Sequence, residues 1–269
     1  MDIKISTEKF DTDYKYITSD LLLMEKHEDL NGEKKVTDIF TNCWAIGLTI
    51  TGSLKSVKYN GHYININGQG VILVPPQALI EWTLQGNSEF SFKALLTRIH
   101  WPEMGSQNLY FINKNKFDLV LQDQIENLFF SEKLTQEPNF EKLCSNVAEY
   151  LIQFGNCYKA ETKSIAAQIK TQIDQNITDQ INLDKLSKKI GVSKSYLIRT
   201  FKKQFSMTPG EYIQHLRVYS SIYHMLFNKL STTQAGFESG YENLGHYYKY
   251  FKTKIGVTPS SYKTKDKNR

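Results

Sequence analysis

The sequence predicts a two-domain α+β protein: a β-rich N-terminal half, then an all-α C-terminal half with two helix-turn-helix units joined by a long helix. Three observations lead there. Short apolar or alternating runs rich in β-branched and aromatic residues crowd residues 21–99, with Gly, Asn and Pro-Pro between them. From residue 165 onward apolar residues recur at helical spacing instead. The pattern FKKQFSMTPGEY at 201–212 returns as FKTKIGVTPSSY at 251–262.

Residues 1–20 read as an irregular arm. Strands are expected at 21–27, 44–52, 53–59, 63–67, 70–75, 80–84 and 90–99. So many short strands at close spacing suggest a small antiparallel barrel or sandwich. Two amphipathic helices follow. Over 117–130, Phe117, Val120, Leu121, Ile125, Leu128 and Phe129 share a broad apolar face, and over 140–154 Phe140, Leu143, Val147, Leu151 and Phe154 do the same. The polar stretch 156–163 is the expected linker between domain 1–155 and domain 164–269.

The second domain opens with a helix at 165–177, where Ile165, Ile169 and Ile173 repeat at i, i+4 and i+8. The first helix-turn-helix unit covers 183–203. Leu183, Leu186 and Ile190 line one face, Gly191 supplies the turn, and Ser193 caps a second helix that buries Leu197, Phe201 and Phe205. Thr208-Pro209-Gly210-Glu211 is a capping box with proline at the first helical position. It starts a long helix running to about residue 227, a stiff spacer that turns Ile213, Leu216, Tyr223 and Leu226 to the units on either side. The second unit covers 231–252, with Gly240 in its turn, Asn243 near the cap, and Tyr247 and Phe251 pointing inward.

Charge separates the halves. Residues 164–269 hold 17 Lys and Arg against 7 Asp and Glu, leaving 16 against 21 for the rest of a chain of net charge +5. The basic half is the one expected to meet a polyanion. The N-terminus shows no apolar signal region and no apolar run is long enough to span a bilayer, so a cytoplasmic protein without membrane contact is expected. Three scattered cysteines, Cys43, Cys144 and Cys157, suit reduced, buried thiols better than a disulfide framework, with a redox switch at Cys144 or Cys157 as the rival.

The runs GVSKSYLIRTFKKQFSMTPGEYIQHLR and GYENLGHYYKYFKTKIGVTPSSYK closely resemble the DNA-binding domain of AraC/XylS-type transcription regulators. The order ITG…INGQGVILVPP resembles, more loosely, the cupin-like barrel that precedes that domain in many family members. The resemblance implies a bacterial, sequence-specific regulator of promoter DNA, an activator touching RNA polymerase rather than a repressor, controlled by a small-molecule effector or by a protein partner at its N-terminal domain. It also implies a homodimer formed through 117–130 and 140–154. The alternative for those helices is that both simply bury their apolar faces on their own barrel.

On the first reading helix the outward face carries Ser195, Ile198 and Arg199. Arg199 suits a bidentate contact to guanine and Ile198 a thymine methyl. On the second, His246, Tyr248 and Lys249 face outward, and the resemblance adds Leu244 and Gly245. Lys194, Lys202, Lys203 and Lys252 suit phosphate contacts, which add affinity without sequence information. Two such helices enter successive major grooves when their centres lie about one helical turn, roughly 34 Å, apart. One departure is visible. The family usually carries isoleucine where Thr232 and Ala235 stand and alanine where Gly236 stands, which predicts a weaker second unit.

In the barrel region Trp44, Tyr59, Tyr63, Trp82 and Phe92 are the aromatic candidates for lining an effector pocket, with ordinary core packing as the alternative. His27, His62 and His100 stand singly and far apart, with no HxH grouping, so no metal site is expected. No Gly-rich phosphate loop and no G-x-S-x-G occurs, so neither an enzyme nor a cofactor is expected.

Overall fold

A computed structural model describes residues 11–16, 21–40, 42–98, 107–131 and 140–265. These residues form two compact units, one of the described residues up to Lys58 and from Tyr63 to Ala160, and one from Glu161 onward that also takes in Tyr59–His62.

The first unit is a nearly closed antiparallel barrel. Its strands are β1 (Asp11–Tyr16), β2 (Leu21–Phe40), β3 (Trp44–Thr51), β4 (Ser53–Tyr59), β5 (His62–Ile64), β6 (Gly70–Val74), β7 (Ala78–Thr97), β8 (Asn108–Asn113) and, after the helices α1 (Leu119–Phe129) and α2 (Phe140–Phe154), β9 (Asn156–Lys159). Their order is β1-β2-β7-β3-β6-β8-β9, with β4 on β7 and β5 on β4.

The barrel is built around one folded ribbon. β2 and β7 pair along their whole lengths, from Leu21 opposite Thr97 to Phe40 opposite Ala78. Lys26 and Asp38 lie on the same strand, and a straight strand would hold them about 40 Å apart. Lys26 Nζ is nevertheless 3.4 Å from Asp38 Oδ1, and Lys34 pairs with Glu28 inside them. The ribbon therefore doubles over at its middle, where Gly32 stands opposite Gly86. Gly32 has φ +107°, and a Cβ on Gly86 would lie 2.7 Å from the carbonyl oxygens of Leu30 and Glu89. Glycine at both positions permits the bend.

One outer face is covered by α1 and α2. Trp44, Ile46 and Leu48 of β3, Val71 and Leu73 of β6, and Tyr110 and Ile112 of β8 pack against Leu121, Ile125, Leu128, Cys144, Val147 and Leu151. This explains why β6 is apolar throughout: it is buried on both faces. Asp118 caps α1 and accepts a hydrogen bond from the Tyr150 hydroxyl of α2. Phe117 and Leu143 are only partly buried in this packing. Val120 and Phe154, expected on the buried faces, are 57% and 60% exposed, with Leu119 at 82%.

Several expected boundaries move for one reason, that a strand edge recruits whatever backbone lies beside it. Residues 11–16 of the expected arm pair with β2, and the rest of that arm lies outside the described residues. Residues 156–159, expected as linker, pair with β8 as β9. The expected strands at 80–84 and 90–99 are parts of one strand, β7, because Gly86 bends the ribbon without ending it. β8 itself was not expected. Cys43 and Cys144 are buried, which pushes both thiols up to about 12, whereas Cys157 is exposed on β9.

The second unit is helical: α3 (Ile165–Gln175), α4 (Leu183–Ile190), α5 (Lys194–Phe205), α6 (Pro209–Leu226), α7 (Thr232–Glu238), α8 (Leu244–Ile255) and α9 (Pro259–Lys265). The sequence repeat is a repeat of structure. Phe201 and Phe251 are both fully buried. Pro209 and Pro259 both start helices. Tyr212 packs 5.5 Å from the Phe201 ring, and Tyr262 lies 5.7 Å from Phe251.

Gly236, expected to weaken the second unit, has a packing partner. A Cβ there would stand 2.8 Å from Cδ1 of the fully buried Tyr247 ring. The glycine makes room for a large aromatic. Alanine would gain about 1 kcal/mol of helix propensity but overpack at about 1–3 kcal/mol. Gly236→Ala should therefore lower the urea midpoint of the helical unit, and the same change should be better tolerated beside Tyr247→Leu. A higher midpoint for the single variant would mean that propensity outweighs packing.

Candidate nucleic-acid interface

Both reading helices are placed by their caps. Asn182 caps α4, its side chain accepting from the Asp184 and Lys185 N–H groups, and Gly191 ends that helix at φ +79°. Two residues later Ser193 caps α5 by accepting from the Tyr196 N–H. Here the chain turns within three residues because glycine takes the left-handed conformation and serine satisfies a free N–H group. The second unit repeats the device with Gly240 at φ +87° and Asn243 capping α8 through the His246 N–H.

Burial then separates inward from outward faces. Leu197, Phe201 and Phe205 of α5 are fully buried, as expected. Ser195, Arg199, Lys202 and Lys203 are exposed and Ile198 is half-buried, so these side chains share one solvent-facing surface. The Arg199 guanidinium lies 5.6 Å from the Tyr196 ring centroid, and among the described residues no ion pair holds it. Lys194 is tied within the unit: its Nζ is 2.9 Å from Asp184 Oδ2 in a largely exposed pair.

On α8, His246, Lys249 and Lys252 are exposed. Leu244 and Tyr248 are drawn inward. Both pack on the cluster of Val218, Met225, Ala235, Tyr241, Tyr247 and Phe251, and the Tyr248 hydroxyl lies 3.4 Å from Thr233 Oγ1. Of the three expected readers on each helix, two are thus exposed, Ser195 and Arg199 on α5 and His246 and Lys249 on α8, and one is half-buried, Ile198 and Tyr248.

Two arrangements behind this face escaped the sequence reading. Lys170, Asp174 and Tyr212 form a buried network, with Lys170 Nζ 2.7 Å from Asp174 Oδ2 and the Tyr212 hydroxyl donating to Asp174 Oδ1 at 2.6 Å. Burial and the neighbouring carboxylate raise the Tyr212 phenol well above its ordinary value. The i, i+4 spacing of Lys170 and Asp174 was a legible signal, but their burial was not. Arg217 of α6 donates from Nε to the Ile177 carbonyl at 3.0 Å and from Nη2 to the Asp179 carbonyl at 2.8 Å.

The pocket candidates do not gather in one place. Trp82 and Phe92 line a cavity of about 30 Å³ between the arms of the folded ribbon, together with Met24, Lys26, Val36, Asp38, Leu54, Leu84 and Phe90. Trp82 Nε1 donates to Asp38 Oδ2 at 2.8 Å. Trp44 packs under the helices on the opposite face of the sheet. Tyr59 is buried at the end of β4, and Tyr63 is 76% exposed. Among the described residues no His, Cys, Asp or Glu side chains group as a metal site, and no helix is long and apolar enough to cross a membrane.

Comparison with known proteins agrees with this geometry. A helix-turn-helix domain family model matches residues 186–265. The uncharacterized HTH-type transcriptional regulator YdiP of Escherichia coli is 29% identical over 124 residues, 44% of this chain and 41% of that protein, so the chain spans less than half the length of that relative. The regulatory protein SoxS of Salmonella typhimurium is 30% identical over 91 residues, 34% of this chain and 85% of that protein. The crystal structure of unsaturated fatty acid bound ToxT from Vibrio cholerae superposes with a TM-score of 0.55 at 14% identity, covering 93% of this chain and 96% of that one. That is a likeness of fold across both domains.

One buried histidine predicts that this unit loses stability in acid. His215 of α6 is buried with neither ring nitrogen hydrogen-bonded. Burial, and then the Lys254 charge, lower its pKa to about 3. The unfolded chain takes up this proton near pH 6.5 and the folded chain does not, so stability is lost as pH falls from about 6.5 towards 3, by up to about 1.4 kcal/mol per pH unit. In urea unfolding followed by helical circular dichroism between pH 7.5 and 4.5, His215→Leu should flatten this slope relative to the unsubstituted chain. Parallel slopes would place the proton uptake elsewhere.

Proposed function

From the premise that the chain belongs to the AraC/XylS-type family of transcription regulators, we propose that it activates transcription by reading an asymmetric promoter site with α5 and α8, under control of its barrel domain. DNA binding and transcriptional regulation come with the family. The base contacts, the sign of regulation and the effector belong to this proposal.

The observation that carries the base-reading assignment is the exposed face of α5. Arg199 projects from it without an ion-pair partner among the described residues, between Ser195 and Lys202. A guanidinium at that position can reach guanine O6 and N7 as a fork. Lys202, Lys203 and Lys252 lie at the margins, where charge alone is useful, and Lys194 joins them on exchanging Asp184 for phosphate. Gly245 presents no side chain, and Tyr248 and Leu244 are partly committed to the core. His246 and Lys249 are then the readers on α8, and α5 carries the greater part of the specificity.

The barrel supports effector control through its folded ribbon. The cavity between the arms has room for one or two waters. An effector enters by parting the arms, and the Lys26–Asp38 pair and the Trp82 indole are the polar groups it would meet. Amphipathic carboxylates are the first class to test, because Lys26 supplies a cation that a ligand carboxylate could take over from Asp38, the other lining residues are apolar, and the ToxT likeness includes a fatty-acid-bound structure. Such a ligand would shift the balance between DNA-competent and incompetent arrangements by its different affinity for each. The exposed Leu119, Val120 and Phe154 favour a second element of the reading, a homodimer through α1 and α2.

In binding assays on sites selected from random DNA, Arg199→Ala should lose about 1–3 kcal/mol of discrimination at one or two base pairs. Lys202→Ala should weaken binding to all sequences and flatten the salt dependence. Uniform loss for both variants would remove Arg199 from base reading. Native mass spectrometry of the full chain tests the control step. A retained small molecule supports the effector, and a two-chain mass that Phe154→Glu abolishes supports the dimer.

A further inference from the structure

We propose that Arg217 locks the two helix-turn-helix units at one mutual geometry, and so sets the half-site spacing that the protein accepts. This rests on the DNA-binding reading above but makes a claim about the unbound chain as well. α6 joins the units, and a single shared helix leaves them free to rock by helix bending and side-chain repacking at its two ends. A second strut is present. Residues 176–182, between α3 and the cap of α4, reach from the first unit to the turn of the second.

Three sets of contacts make that strut. Arg217 projects from the middle of α6 and holds the Ile177 and Asp179 carbonyls at 3.0 and 2.8 Å, with its guanidinium carbon 5.9 Å from the Tyr241 ring centroid. The turn itself touches the strut backbone: a Cβ on Gly240 would stand 2.7 Å from the Ile177 oxygen and 2.9 Å from the Thr178 Cα. At the edge Gln180 Nε2 donates to Glu242 Oε1 at 2.5 Å. On the other side Tyr241 donates from its hydroxyl to the Gln214 carbonyl at 3.3 Å, returning the turn to α6.

The position of the strut matters more than its strength. It ends at Asn182, the cap of α4, and meets the second unit at 240–242, directly before Asn243, the cap of α8. Rocking one unit against the other therefore has to break the Arg217 bonds or part backbone from backbone at Gly240. Lysine cannot replace the arginine, because a single ammonium does not span two carbonyls as a planar fork does. With two guanidinium N–H groups committed to backbone, Arg217 is a positioning residue and not a DNA contact.

The test uses full-length protein with Cys157→Ser and spin labels at Lys188→Cys on α4 and Thr253→Cys on α8. The buried Cys43 and Cys144 stay unlabelled. The parent should give one narrow distance distribution, and Arg217→Gln and Arg217→Lys should broaden it. On sites selected by the parent, inserting one base pair rotates one half-site by about 34° relative to the other. The parent should lose binding to that site by at least about tenfold, and both variants should lose much of this preference. A narrow distribution in the variants, or an equal loss on every spacing, overturns the proposal and leaves Arg217 a stabilising residue only. If Arg217→Gln fails to fold, Arg217→Lys, which keeps the stem and charge, decides. If the parent binds no DNA, the DNA-binding reading fails, while the distance measurement still decides the strut.

Discussion

One helix has to serve two hydrophobic cores at once, and much of the C-terminal unit follows from that constraint. The first half of α6 gives Tyr212 to the α3–α5 side, against Phe201 and Asp174, and the second half gives Val218 and Met225 to the α7–α8 side. A helix so placed cannot turn about its axis to improve one core without spoiling the other. Its first turn is therefore fixed by polar groups: the Thr208–Glu211 capping box outside, and the Tyr212–Asp174–Lys170 network inside. Burying that carboxylate is tolerable only because both of its oxygens are satisfied. The arrangement fixes direction and register more than it adds stability.

The same helix carries the features that break the apparent symmetry of the repeat. Tyr212 is fully buried and hydrogen-bonded, whereas its counterpart Tyr262 is only partly buried. His215 is held neutral in the interior. Arg217 reaches out to the strut. The two units are thus copies in fold but not in their supports. The first is anchored through α3. The second packs a glycine on a tyrosine and depends on the turn at 240–242 for its placement.

In the barrel the governing constraint is the doubled ribbon. Opposed glycines let β2 and β7 fold over, and the fold sets Lys26 against Asp38 and Glu28 against Lys34 on the inner face. Charges inside a small barrel are expensive to bury unless paired. Here the pairing is between the two arms of one strand. Anything that parts the arms must offer those charges new partners. On the opposite side of the sheet α1 and α2 close the core, and their outermost apolar residues remain exposed.

The amino-acid sequence by itself determined the division into a β-rich and a helical half, both helix-turn-helix units with their caps at Ser193 and Asn243, the capping box at Thr208, and the inward residues Leu197, Phe201, Phe205, Tyr247 and Phe251. Each of these is written in neighbours a few residues apart, where helical period and cap chemistry act. Only the tertiary structure decided the rest. That β2 and β7 are single folded strands, that residues 156–159 join the sheet, that Gly236 belongs to Tyr247, and that Trp44 and Tyr63 stand away from the cavity are all matters of which distant segment arrives at a given edge or face. Arg217 shows the limit best. Its spacing on α6 is that of an ordinary polar position, and its partners are backbone carbonyls about 40 residues away. A carbonyl acceptor is the same on every residue, so no side-chain pattern could announce that contact.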